Sequence, residues 1–176
     1  MDAGILYAIQ QLTGPPWLDG LMAGLSWIGN NGMIWILLAV FLLIYPKTRI
    51  SGAACAVALL LSLLLCNLIL KNMVARLRPY DVLSWLQPLV PPLTDFSFPS
   101  GHASASFAAA TAIALSGMGK RWVVPAFALA ALISFSRLYT GMHYPTDVLG
   151  GAALGVLCGI LAWLAAKRWL KGLSPP

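Results

Sequence analysis

Three short stretches of this chain place ionisable residues where apolar residues surround them. Lys71, Arg76 and Arg78 follow one apolar run, and Ser100-Gly101-His102 opens another. Ser136-Arg137 closes a third, and His143 and Asp147 stand at the start of a fourth. Both histidines of the chain fall in these stretches. Ionisable groups at the ends of membrane helices are costly unless they pair or work. Lys71 and Arg78 are seven residues apart. A helix continuing past Leu70 would carry both on one face. On that helix Arg76 would point about 140° away from Lys71, so it ranks below the other two. The ordinary alternative for all three is snorkelling at an interface.

The other two stretches supply different chemistry. Ser100 is a good N-cap, and the free N–H groups of the first helical turn, with Gly101 at its mouth, make an anion site. His102 falls in that turn. Pro145 favours a helix start just after His143. Asp147, four residues on, can take one imidazole N–H and leave the other nitrogen's lone pair facing outward, as a nucleophile needs. Each stretch alone has a plain reading as a helix cap. Together they hold cations, a free helix start, one oriented imidazole and one spare imidazole, which is an inventory for phosphoryl transfer. No carboxylate cluster for Mg²⁺ and no His/Cys cluster for Zn²⁺ accompanies them, so neither a metal nor another cofactor is expected.

The elements that must position these groups follow from composition. The hydrophobic fraction of the 176 residues is 60%, against roughly 45–50% for soluble domains, and charged residues are 9% against roughly 25%. A soluble enzyme, a disordered region and a disulfide-stapled domain are excluded. Cys55, Cys66 and Cys158 sit inside apolar runs as packed thiols. The net charge is +6, and all five acids are Asp. The cations flank apolar runs, which reads as membrane topology and gives no nucleic-acid partner.

Residues 50–70, 148–166, 96–119, 122–136 and 33–45 form five apolar runs that predict membrane helices. The run 96–119 starts as loop and turns helical near Ser100. Residues 5–12 and 17–28 predict two short helices split by Gly14-Pro15-Pro16, lying in the interface or re-entering the membrane. The expected fold is an all-α integral membrane protein: a bundle of five transmembrane helices, or six if residues 1–31 hold a broken span. Residues 1–176 make one domain, with 1–31 as the N-terminal helices and 32–170 as the catalytic bundle. Lys47, Arg49, Lys120, Arg121, Lys167, Arg168 and Lys171 fall on one side, which is therefore cytoplasmic. The ionisable stretches fall on the other. The connection 72–99 is long enough to suggest function.

At this point the sequence resembles the type 2 phosphatidic acid phosphatase superfamily, which includes bacterial membrane lipid phosphatases and soluble vanadium haloperoxidases. Its three-part pattern is matched in full and in order. Lys71 leads to Arg78-Pro79, then comes Pro99-Ser100-Gly101-His102, then Ser136-Arg137 with His143 and Asp147. The pattern and its helices cover roughly residues 17–170, while many members have a fuller first span.

The resemblance implies a role for each matched residue. His143 would be the nucleophile forming a phosphohistidine, Asp147 would orient it, and His102 would be the general acid. Lys71, Arg78, Arg137, Ser100 and the Gly101 backbone would hold the phosphate. The partners implied are a membrane lipid phosphate and the bilayer, at the plasma or inner membrane with the site facing outward. Undecaprenyl diphosphate is the leading substrate by analogy. Phosphatidylglycerophosphate, phosphatidic acid and lipid A phosphates are rivals, and Arg76, Tyr80 and Tyr139 are candidates for head-group selectivity. The oligomeric state stays open.

Overall fold

A computed structural model of the chain describes residues 1–172. Residues 173–176 and the side chains of residues 169–172, Lys171 among them, lie outside the described residues. Among the described residues the regular structure is all helical. α1 (Asp2–Gln10) and α2 (Pro16–Ile28) are separated by Gly14 at φ 123° and by Pro15-Pro16, with proline in the first turn of α2. A single tight turn at Asn30–Gly32 leads into α3 (Met33–Ile44). α4 (Arg49–Ser62) runs on through a π-helical stretch, Leu63–Leu70, into α5 (Lys71–Val74). Then come α6 (Pro79–Val82), α7 (Gly101–Leu115), α8 (Lys120–Tyr139) and α9 (Pro145–Gly172).

Among the described residues, three helical stretches are long and apolar enough to cross a membrane: Arg49–Val82, Lys120–Tyr139 and Pro145–Arg168. α2 and α3 add a fourth only as one bent pair, turned by 51° at the break. Asn31 and Gly32 take left-handed φ values of 53° and 68° there, which ends one helix and starts the next. The run 33–45 is thus the second half of a broken element. The run 96–119 yields α7 with only 15 residues, about 22 Å of helix against a bilayer core of about 30 Å.

α7 lies at the centre, packed by α4, α8 and α9. Its sequence explains this position. Ala103, Ala108, Ala109, Ala110 and Ala112 are buried, with Ser104, Ser106 and Thr111 among them. Buried hydroxyls need partners. Ser104 meets Ser62 at 2.7 Å, and Trp35 Nε1 donates to Ser106 at 2.8 Å, while Thr111 Oγ1 has no partner among the described residues. Large apolar side chains point outward instead, including Leu37, Phe41, Leu68, Val124, Leu132 and Leu149. That inversion suits lipid surroundings. The three cysteines are buried and free, as the sequence suggests.

α9 approaches α7 through Gly151, Gly155 and Gly159. A Cβ on Gly155 would lie 2.3 Å from the Ser104 carbonyl oxygen. Gly155→Leu is therefore expected to destabilise the bundle by about 1–3 kcal/mol or more, since backbone atoms must part. Thermal unfolding in detergent reads this out, and an unchanged midpoint would contradict the close packing. This contact fixes the start of α9 against the start of α7.

Candidate active site

α4–α5 runs toward one end of the bundle, α7 away from it, α8 back, and α9 away again. The end of α5, the start of α7, the end of α8 and the start of α9 therefore meet. Lys71 opens the four-residue α5 and is buried. The helix expected to carry on to Arg78 stops at Val74, because Ala75 adopts φ 48° and reverses the chain. Lys71 and Arg78 consequently do not meet as two residues of one helical face. They meet across Asp95 from the long connection. Lys71 Nζ pairs with Asp95 Oδ2, and Arg78 donates to Asp95 Oδ1 at 2.5 Å and to its carbonyl oxygen at 2.8 Å. Arg78 also donates to the Met142 carbonyl oxygen at 2.9 Å. Burial raises the Asp95 carboxyl, but hydrogen bonds and charge from Lys71 and Arg78 outweigh it and hold it below the ordinary carboxylate value.

Ser100 caps α7, its Oγ lying 3.5 Å from the Ala103 N–H. A Cβ on Gly101 would come 2.8 Å from Asn67 Oδ1, so the helix mouth is closely walled. His102 Nε2 lies 3.2 Å from the Ser26 carbonyl oxygen and 3.1 Å from Asn30 Oδ1. Arg137, near the end of α8 and 1% exposed, donates to Ser26 Oγ, and its Nε has no hydrogen-bond partner among the described residues. Ser26 and Asn30 thus serve two of the expected site residues. The sequence marks Asn30 only as a break signal, and Ser26 carries no signal at all.

Thr140-Gly141, with Gly141 at φ 75°, ends α8 and turns the chain so that His143 points inward. His143 Nδ1 lies 3.6 Å from Asp147 Oδ2, and its Nε2 lies 3.4 Å from Arg78 Nη1. Asp147 is fully buried. Its Oδ2 accepts from Ser97 Oγ at 2.5 Å and from the Tyr144 N–H at 2.8 Å, while Oδ1 accepts from Arg76 at 2.7 Å. Ser97 was invisible in the sequence; its only signal is its place in the long connection. Burial, reinforced by Arg78 and Arg137 and opposed by Asp147, pushes the His143 imidazole down to about 3. It is neutral at physiological pH, with a lone pair available.

A cavity of about 730 Å³ reaches this cluster. Lys71, Arg78, Asp95, Gly101, His102 and His143 line its polar end. Ile36, Val40, Leu43, Leu59, Leu60 and Leu63 from α3, α4 and the π-helical stretch line its apolar end. Ser100, Arg137 and Asp147 do not line the cavity and stand behind that wall. The three residues expected to read a head group do not line the cavity. Arg76 is bound to Asp147 and Asp2, the Tyr80 hydroxyl bonds Leu93, and Tyr139 is buried with its hydroxyl on Leu12 and Asp19. The helix assumed for Arg76 ends before it, so Arg76 stands apart from Lys71 and Arg78 through the chain reversal at Ala75 and not through helical periodicity.

Residues 51–171 match the family model of the PAP2 superfamily. The chain belongs to the PAP2 superfamily. An undecaprenyl-diphosphatase of Sulfolobus acidocaldarius is 35% identical over 138 residues, covering 78% of this chain and 66% of that protein. The crystal structure of Aquifex aeolicus LpxE superposes with a TM-score of 0.80 at 29% identity, covering 92% of this chain and 93% of that one. A Bacillus subtilis structure described as a transmembrane PAP2 type phosphatidylglycerolphosphate phosphatase gives 0.73 at 30% identity, covering 98% and 86%. This PAP2 match and the phosphatase names of these relatives support a phosphoric ester hydrolase in a multi-pass membrane protein. The PAP2 match begins at Ser51, so Asp2, Ser26 and Asn30 reach the cluster from outside the matched region.

Proposed function

We propose that this chain hydrolyses the terminal phosphoryl group of a membrane lipid, with undecaprenyl diphosphate as the leading substrate and undecaprenyl phosphate as product. The observation that carries this reading is the cavity: a cationic end with both histidines continues into an apolar groove. A free phosphate ester needs only the first half. A lipid uses both.

The chemistry follows the cluster. His143 Nε2 attacks phosphorus while the bond to the leaving oxygen breaks, and His102, which must enter the step as the imidazolium, gives that oxygen a proton. Water then attacks the phosphohistidine, His102 takes the water proton, and phosphate leaves. Lys71, Arg78, Arg137, Ser100 and the Gly101 N–H hold the equatorial oxygens. Three cations at one point supply the charge that a metal supplies elsewhere, so turnover is expected to survive EDTA. The unpartnered Arg137 Nε is a donor suited to an anion. The cations at the opposite helix ends favour a cytoplasmic far side, which puts the site on the outer face of the plasma or inner membrane. The chain then acts as one domain.

The deciding experiment is phosphate release by detergent-purified protein with EDTA present. The panel is undecaprenyl diphosphate, phosphatidylglycerophosphate, phosphatidic acid and a short soluble ester. Preference for the diphosphate is expected. A glycerophospholipid preference would overturn the substrate, and equal rates on the soluble ester would overturn the groove argument.

Asp95 occupies the two cations that the phosphate needs, so an incoming phosphoryl must displace it. Asp95→Asn removes that internal competitor. It is expected to lower the inhibition constant of inorganic phosphate by roughly tenfold. A constant that stays put would mean the carboxylate does not compete.

A further inference from the structure

Arg76 spans three polar groups behind the cavity. Its Nη1 donates to Asp147 Oδ1 and to Thr146 Oγ1, both at 2.7 Å, and its Nη2 donates to Asp2 Oδ2 at 2.8 Å. Its guanidinium carbon lies 4.0 Å over the Tyr144 ring. Thr146 Oγ1 closes the circle by donating to Asp2 Oδ2 at 2.5 Å. α1 is held in place at its other end too, where Gln10 donates to the Leu138 and Tyr139 carbonyl oxygens at 3.0 and 2.9 Å.

We infer that Arg76 is a positioning residue for the reaction at His143: anchored by Asp2 of α1, it clamps the far oxygen of the Asp147 carboxylate and thereby sets that carboxylate's orientation and charge toward the imidazole. The inference rests on the proposed role of His143 as nucleophile. A carboxylate held on one oxygen can still rotate. Here Ser97 and the Tyr144 N–H fix Oδ2, Arg76 fixes Oδ1, and rotation is closed off. The guanidinium also draws on charge that would otherwise act on His143 alone. A carboxylate left with its full charge favours the imidazolium, and an imidazolium has no lone pair to attack with. Bidentate guanidinium bridging suits this task better than a point charge.

Other groups bear on the same imidazole. Arg78, from the segment before α6, and Arg137, from α8, both oppose its protonation, and His102 on α7 adds to them when charged. Asp147 on α9 favours it. Behind Asp147 stand Arg76, Asp2 of α1 and Tyr144, and Asp81 of α6 acts on Tyr144. Arg78 lines the cavity, and Arg137 is buried against Ser26. Arg76 acts through the carboxylate, from outside the cavity.

The chain has two histidines, so histidine-labelled protein in detergent gives two imidazole titrations by NMR, assigned with His102→Gln. Arg76→Gln is expected to raise the His143 midpoint by about one pH unit. Asp2→Asn should move it the same way by less, and Arg76→Lys should fall between wild type and Arg76→Gln. On the substrate that the wild type hydrolyses, Arg76→Gln should lower kcat by about 10- to 100-fold, with KM and phosphate inhibition little changed. The acid limb of kcat/KM should rise with the NMR midpoint. Unchanged midpoints in both Arg76→Gln and Asp2→Asn would overturn the inference. So would weakened phosphate inhibition at unchanged kcat, because Arg76 would then be a phosphate contact. A shifted midpoint in a protein without turnover on any lipid would remove the phosphatase reading and leave the clamp standing.

Discussion

His143→Ala is expected to abolish measurable turnover, a loss of at least about 10⁴-fold in kcat. The imidazole is buried, neutral and aimed by Nε2 at the cation-lined end of the cavity. Alanine removes the atom that would take the phosphoryl group and offers no substitute. The cations stay, so binding and turnover should separate: inorganic phosphate should still bind while release stops. A rapid acid or alkali quench with labelled substrate should trap phosphoenzyme in the wild type and none in the variant. Retained turnover in a variant that melts like the wild type would rule out His143 as the nucleophile.

Asp147→Asn is the second large effect, with an expected loss of about 10³–10⁴-fold in kcat. The carboxylate takes four hydrogen bonds or close approaches on its two oxygens, from Ser97, the Tyr144 N–H, Arg76 and His143. An amide can accept on one side only. It either loses Arg76 or presents an N–H toward the imidazole, and the second choice imposes the wrong tautomer. The variant is nearly isosteric, so its unfolding midpoint in detergent should stay close enough to read activity. Near-normal kcat would mean that Ser97, whose Oγ lies 3.4 Å from His143 Nδ1, orients the imidazole without the carboxylate.

Much of the site was legible because its chemistry is written in local spacing. Ser100 before Gly101 and His102 is a cap signal, and the structure has the cap. Pro145 between His143 and Asp147 is a helix-start signal, and α9 starts there. The apolar runs likewise marked the helices. The same method assumed a helix running through Arg76; Ala75 ends that helix, although Arg76 does stand outside the cavity that Lys71 and Arg78 line. It also counted spans by run length. The run 33–45 proved to be half of a bent pair, and α7 proved short and central, because runs of small residues serve helix–helix contact as well as lipid.

Residue types and spacing by themselves determined the membrane class, the helical run boundaries to within a few residues, and the three stretches whose inventory suits phosphoryl transfer. These are properties of neighbours in the chain, set by periodicity, capping and hydropathy. The tertiary structure alone decided that Asp95 bridges Lys71 and Arg78, that Ser26 and Asn30 serve Arg137 and His102, and that Arg76 joins Asp2 to Asp147. Those pairs depend on chain reversals at Asn31-Gly32 and Ala75 and on how closely α9 can approach α7. Polar side chains from distant segments pair where helix ends are brought together, and no local pattern records which ends those will be.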